Sequence, residues 1–335
     1  MNERLAGVGS DNSPLPLVAR ADSARLSETG MQLCASCPEL LSAVVRYLAA
    51  SRSPATLRAY RSDLADFVRW GGTLPSKPVD VAQYIADRAA QHKPSTLVRR
   101  LVGIGRAHTA HGLADPTKSE LVRAVLQGIR REHSGPARQA APLLPQDLLA
   151  MVPEVETGQR ALRDRALLLL GFAGALRRSE LVALDVADLE FVEQGLTVTV
   201  RRSKTDQVAA GRTIAIPRGR GQLRAVSAVE QWLKVSGISA GAVFRPISPA
   251  GVMLAGRLSG QSVSLIIKVR ASIAGLPPSA YSGHSLRAGL VTSAALQGVS
   301  AARIQFQTGH QSAAMVSRYV RQVRPFDGNA AGAVL

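Results

Sequence analysis

Apolar residues fall into two periodic regimes along the chain. From Pro38 they recur at i, i+3 and i+4, the spacing of helices with one buried face. Leu40, Leu41, Val44, Val45 and Leu48 form one such stripe, and Leu57, Tyr60, Leu64, Phe67 and Val68 form a second. The second runs from about Pro54 to Trp70, where Gly71-Gly72 stops it. Pro78 opens a third helix through Ala90, Pro94-Ser95-Thr96 a fourth to about His111, and Pro116 a fifth ending near Arg131. Residues 37–133 are therefore expected to form an all-helical domain of about five helices, behind a polar, irregular leader at 1–36. Residues 134–145 carry Gly and Pro without periodicity and read as a linker.

Beyond the linker the period changes. Gln159 to Phe172 and Arg178 to Leu184 read as helices, after which Leu196-Thr197-Val198-Thr199-Val200 and Thr213-Ile214-Ala215-Ile216 alternate with period two. With a strand near Asp188–Val192 they predict a small three-stranded sheet. Helices resume at about 223–235, 261–274, 284–297, 300–307 and 312–322. The pattern as a whole predicts a mainly α protein with a small antiparallel β-sheet. An α+β domain at 146–324 follows the helical one, with a tail at 325–335.

Charge adds a partner class. Lys plus Arg number 41 against 24 Asp plus Glu, a net charge of +17, and only six of the 41 are lysines. A field of that sign attracts polyanions, nucleic acid foremost, although an Arg-rich, Ala- and Gly-rich composition also fits a GC-rich genome. No apolar run is long enough for a membrane span, and residues 1–30 lack the apolar core of a secretory signal. The reading is a soluble, cytoplasmic protein. The two cysteines, Cys34 and Cys37, form a lone C-x-x-C. Without a second pair, a nearby histidine or a βαβ context, it is read as neither a metal nor a redox site.

Candidate chemistry gathers late in the chain. His284-Ser285-Leu286-Arg287 places His and Arg three apart, on one face if helical. Gly309-His310 follows, and Tyr319 lies nine residues further on. Upstream, Leu176-Arg177-Arg178-Ser179-Glu180 sets an arginine three residues before a carboxylate, and Lys204 lies between the two clearest strands. An oxygen nucleophile attacking a phosphodiester builds charge on the non-bridging oxygens, which planar guanidinium groups clamp. The leaving oxygen needs a proton, which a flexible lysine can supply. A phenol with an ordinary pKa near 10 needs help in losing its own. Histidine can accept that proton or orient the phosphate. No acidic cluster with metal spacing and no Walker loop competes for the role.

In this order and spacing the residues resemble the tyrosine recombinase, or phage integrase, family, from about Pro38 to Arg324. Ser282-Gly283-His284-Ser285 and Ala295-Leu296-Gln297-Gly298-Val299-Ser300 are similar to its phage-encoded members in particular. The resemblance implies a core-binding (SAM-like) helical domain joined to an α+β catalytic domain. The family's L-R-x-x-E arginine falls on Arg177 in preference to Arg178, with Glu180 as its acidic companion. The hairpin lysine falls on Lys204, the H-x-x-R box on His284 and Arg287, the last imidazole on His310 and the nucleophile on Tyr319. Tyr281 precedes the box and lacks a partner at the right spacing. The implied enzyme needs no metal or other cofactor. It acts on double-stranded DNA at short inverted-repeat sites, as a monomer that assembles into a homotetramer. The helical domain would clasp DNA through residues such as Arg58, Arg61, Arg99, Arg100 and Arg106, and the apolar end of the tail would dock on a neighbouring protomer. A monomeric topoisomerase using the same chemistry and a non-catalytic DNA-binding protein are the alternatives.

Overall fold

The computed structural model describes residues 53–133, 135, 140–152, 158–201, 211–219 and 221–309. The chain divides into two compact units, Met1–Ala137 and Arg138–Leu335.

In the first unit α1 (Pro54–Trp70), α2 (Pro78–Asp87) and α3 (Pro94–Ala110) each begin with proline, whose missing N–H removes nothing from an unbonded first turn. Ser53 caps α1 by accepting from the Thr56 N–H at 3.1 Å. The helix expected from Pro116 begins later. Asp115 accepts from the Thr117 N–H at 3.0 Å and holds Pro116–Lys118 as a 3-10 turn, so α4 runs Glu120–His133. Phe67, Tyr84, Ile85, Leu97, Ile104 and Val122 are fully buried where α1 packs on α3 and α2 on α4. His108 is fully buried too. Its Nε2 accepts from the Ser76 N–H at 2.9 Å, leaving Nδ1 to donate to the Ile104 carbonyl at 2.9 Å. This imidazole ties a loop to α3. The expected first helix, near residues 38–48, lies outside the described residues.

The second unit adds a short helix that the pattern does not predict, α5 (Pro145–Met151). Behind it lie α6 (Gln159–Ala173) and α7 (Arg178–Ala183). The sheet is β1 (Leu189–Val192), β2 (Gly195–Val200) and β3 (Arg212–Pro217), antiparallel in the order β1-β2-β3. Leu196 pairs with Ile216 and Val198 with Ile214, so one face is apolar up to the Val200–Arg212 pair. The chain continues through α8 (Ala225–Ser236), α9 (Gly260–Ile273), α10 (Ser285–Leu296) and α11 (Ala301–Thr308). The protein is thus mainly α with a small antiparallel sheet. α6 is buried on most sides, as befits a helix wrapped by α8 and α10, and its buried Arg163 and Asp164 pair with each other. Trp232 of α8 is fully buried and donates Nε1–H to the Val243 carbonyl at 2.8 Å.

Residues 140–144, part of the stretch read as linker, are bound to this unit. Ala141 N–H donates to Ala280 and Leu143 N–H to Ser285, both at 2.9 Å. This segment passes so close to α10 that a Cβ on Gly289 would lie 2.0 Å from the Leu143 carbonyl oxygen.

Candidate active site

Arg177 follows the tight turn that closes α6. Ala175 is held there at φ 46°, sparsely populated for a residue with a Cβ, and Arg177 then caps α7. Glu180, one turn into α7, reaches back. Its Oε2 accepts the Arg177 backbone N–H at 3.0 Å, and its Oε1 meets the Arg177 guanidinium at 2.6 Å. The Glu180 side chain is only 1% exposed. A carboxylate that deeply buried needs cations around it, and the second one is Arg212 at the start of β3, 3.0 Å from Oε2.

Arg212 does not figure among the residues expected from the sequence. Its signal was available: Arg212, Ile214 and Ile216 alternate on β3, so a guanidinium stands in line with the two buried isoleucines. Through NH1 it also donates to the Gln307 carbonyl at 2.9 Å, near the end of α11. Gly309 follows there at φ 64°, a left-handed conformation suited to glycine, and a Cβ at that position would crowd the Arg212 guanidinium.

Arg287 lies in the first turn of α10 and is 3% exposed. Its NH1 donates to the Ala175 carbonyl at 2.8 Å and to the Thr308 carbonyl at 2.6 Å. One guanidinium thereby joins the turn just before Arg177 to the residue two before His310. His284 is the cap residue of α10 and exposed, so it does not share Arg287's buried setting despite the three-residue spacing. Arg178, the rival arginine, turns elsewhere. Its stem lies over Gly283 and its NH1 donates to Ser264 Oγ at 2.8 Å. Tyr281 is 7% exposed and donates to Asp147 at 3.3 Å. Burial, then the Asp147 charge, push its phenol above the ordinary range, which is the wrong direction for a nucleophile.

Lys204, His310 and Tyr319 lie outside the described residues, as do Cys34, Cys37 and the tail from 325. The arms flanking Lys204 are anchored on both sides. Arg212 holds one arm, and Arg201 holds the other through Asp185 at 2.5 Å and Asp188 at 2.7 Å. Hydrogen bonds from Arg201 and Arg257 hold the Asp185 carboxyl below the usual carboxylate range. Among the described residues, no group of three or more His, Cys, Asp or Glu is placed to hold a metal, and no helix is long and apolar enough to cross a membrane.

In the first unit Arg58, Arg61 and Arg106 are exposed, and Arg106 lies over the Tyr60 ring, 5.7 Å from its centre. Arg99 is half-exposed, with Nε and NH2 each 2.8 Å from the Asp63 carboxylate. Arg100 is 8% exposed and donates to Asp66 at 2.6 Å and to the Tyr84 hydroxyl at 3.0 Å. It is therefore part of the domain's interior.

Arg177, Arg212 and Arg287 are thus fixed guanidinium groups of the second unit, a set chemically suited to an anionic, phosphate-like centre. Residues 142–324 match the model of the phage integrase family. The chain belongs to that family, the tyrosine recombinases, enzymes that break and rejoin DNA strands in site-specific recombination. An integrase/recombinase XerD homolog from Selenomonas ruminantium is 40% identical over 295 residues, covering 85% of this chain and 86% of the relative. Recombinase cre of Escherichia phage P1 is 26% identical over 270 residues, covering 75% and 77%. Two solved structures share the fold. XerH site-specific recombinase bound to palindromic difH substrate has a TM-score of 0.59 at 14% identity, covering 88% of this chain and 84% of that one. A lambda integrase (75–356) dimer bound to a COC′ core site has a TM-score of 0.57 at 20% identity, covering 83% and 94%.

Proposed function

We propose that this recombinase works through a covalent 3′-phosphotyrosine at Tyr319. The observation that carries the reading is Arg287, whose one guanidinium binds the Ala175 and Thr308 carbonyls. It thereby ties the turn just before Arg177 and the end of α11 to the H-x-x-R box. The Tyr319 phenol oxygen attacks the scissile phosphorus while the bond from phosphorus to the 5′-oxygen breaks. The phenolic proton passes to His284, and Lys204 protonates the departing 5′-oxygen. Arg177, Arg287 and His310 hold the non-bridging oxygens, and Glu180 orients Arg177. A 5′-hydroxyl from the partner duplex then attacks the phosphotyrosine and returns the phenol. One phosphoester replaces another at each step, so no ATP is required.

Four protomers on two inverted-repeat sites exchange strands pairwise through a Holliday junction. A lambda integrase tetramer bound to a Holliday junction, similar in fold at TM-score 0.56, supports this assembly. Arg58, Arg61 and Arg106 lie on exposed helix surface and serve as phosphate contacts of the first unit.

The test is covalent capture. Denaturing extracts of cells that express the protein should yield DNA linked to it, and sequencing that DNA gives the target site. A duplex nicked beside the cleavage point should then trap the wild type and leave Tyr319→Phe unlinked. If both proteins bind this duplex and neither links to it, the protein only binds DNA. Relaxation of plasmids that lack the site would point to a topoisomerase.

A further inference from the structure

We infer that Arg212 is a positioning residue of this active site, setting Arg177 through Glu180. The inference rests on the reaction proposed above and adds a residue to it. Three contacts meet at this guanidinium: NH2 binds the buried Glu180 carboxylate at 3.0 Å, NH1 binds the Gln307 carbonyl at 2.9 Å, and the group packs against Gly309. Its Nε is buried without a hydrogen-bond partner among the described residues. Such a group is costly to bury, so the site retains Arg212 at some expense to the fold.

The charge logic identifies its task. Glu180 takes Arg177 on one oxygen and shares the other between the Arg177 backbone N–H and Arg212. With both guanidinium groups present the carboxylate is balanced from two sides. Without Arg212 more of its charge falls on Arg177, drawing towards itself the guanidinium that must meet the phosphate. Arg212 also stands where β3 leaves the hairpin segment containing Lys204 and where α11 delivers the chain to His310. A brace that served the fold alone would need the carbonyl contact. Facing Glu180 as well, Arg212 bears on a carboxylate that also holds Arg177.

The test is a double-mutant cycle in single-turnover cleavage of the nicked duplex, with DNA affinity and thermal melting measured in parallel. Arg212→Gln should slow cleavage about tenfold to a hundredfold, short of the ~10²–10³ lost with a donor that touches the developing charge itself. Its DNA affinity should stay within about threefold of wild type, since Arg212 does not touch DNA in this scheme. Arg212→Lys should recover part of the rate. Glu180→Gln is itself slow, but in that background Arg212→Gln should add less than about threefold, because an amide leaves no charge to balance. Cleavage by Arg212→Gln within threefold of wild type would overturn the inference. So would a loss that carries undiminished into the Glu180→Gln background alongside a lowered melting temperature. If the wild type forms no adduct while Arg212→Gln still binds DNA, the proposed reaction falls and takes this role with it.

Discussion

Both units bury arginine–carboxylate clusters, and the two are wired differently. In the first, Asp63 and Asp66 of α1 face Arg88, Arg99 and Arg100 from α3 and the end of α2, with Tyr84 donating to Asp66 at 2.9 Å. These cations end on carboxylates. In the second, Arg177 and Arg212 share the Glu180 carboxylate, while the NH1 of Arg287 is directed at two backbone carbonyls. A guanidinium fixed by a carboxylate has its charge cancelled locally. Carbonyl dipoles immobilise one just as well without setting a full negative charge against it. The same residue types thus tie side chain to side chain in one place and, through Arg287, side chain to backbone in the other.

Removing Arg287 should break the second arrangement most severely. Arg287→Ala should slow cleavage by roughly 10²–10³-fold. It also strips the donor from two buried carbonyls, costing about 1–3 kcal/mol for each group left unsatisfied. Single-turnover cleavage and denaturant unfolding measure the two losses separately. Arg287→Ala cleaving within tenfold of wild type would mean that a cation held by carbonyls is not the phosphate clamp.

The first unit's cluster should respond the other way, in stability with little change in chemistry. Asp66→Ala leaves the buried Arg100 short of its best partner and should destabilise the first unit by about 3 kcal/mol. Cleavage by folded protein at saturating DNA should change less than about threefold. Burial pushes the Asp66 carboxyl up, but the Tyr84 hydrogen bond and the Arg100 and Arg88 charges prevail and hold it below its usual 3.8. A depressed folded pKa means that the stabilisation is fully present above about pH 4. It is lost as pH falls through the folded value, when the folded state must take up a proton it resists. Burial, aided by Asp66, pushes the Tyr84 phenol up to about 12. Its contribution is therefore complete below pH 10 and lost as pH rises from there towards 12. Unfolding at pH 7, 4 and 3 should show the acid loss in the wild type and a flatter curve in Asp66→Asn.

A packing change in the second unit should fall between these in consequence. Gly289→Ala would place its Cβ 2.0 Å from the Leu143 carbonyl oxygen, a backbone atom that cannot rotate away. The 140–144 segment must then lift from α10, and a cost of about 1–3 kcal/mol is expected. Calorimetric melting checks it, and a variant as stable as wild type would mean that this segment is not held tightly.

Periodicity made most of the helices and all three strands legible, because amphipathic spacing and β-branched alternation are local signals. It failed where structure depends on distant partners. α5 has only seven residues, opens on the third proline of a Pro-rich stretch and is held by burial of Leu148 and Met151, which no local pattern announces. At Pro116 the proline correctly marked a turn, but the Asp115 cap favoured a 3-10 turn ahead of α4. In the site, Arg177, Glu180, His284 and Arg287 could be picked out because their spacing is fixed within single segments. Arg212 lies alone on its strand, and its partner Glu180 is 32 residues away. Arg99 and Arg100 differ for a similar reason: adjacent helical residues point about 100° apart, and only packing decides which one is buried.

That distinction yields the smallest effect and the finest test of the comparison. Exposed arginines that contact phosphates should each contribute through counterion release, so Arg58→Ala, Arg61→Ala or Arg106→Ala should reduce the slope of log affinity against log salt by about 0.9. Arg58→Ala and Arg61→Ala should leave stability within about 0.5 kcal/mol of wild type. Arg106 carries an added consequence, because its guanidinium lies over Tyr60 and its removal also forfeits about 0.5–1 kcal/mol of cation–π attraction. Arg100→Ala should do the reverse, lowering the melting temperature while leaving the salt slope unchanged, since its charge is already held by Asp66. Arg99 is the intermediate case, half-exposed yet bonded through two nitrogens to Asp63. Its substitution should cost some of each. Salt titration of DNA binding in all five variants ranks them, and a reduced slope in Arg100→Ala would show that a buried ion pair in this domain opens to meet DNA.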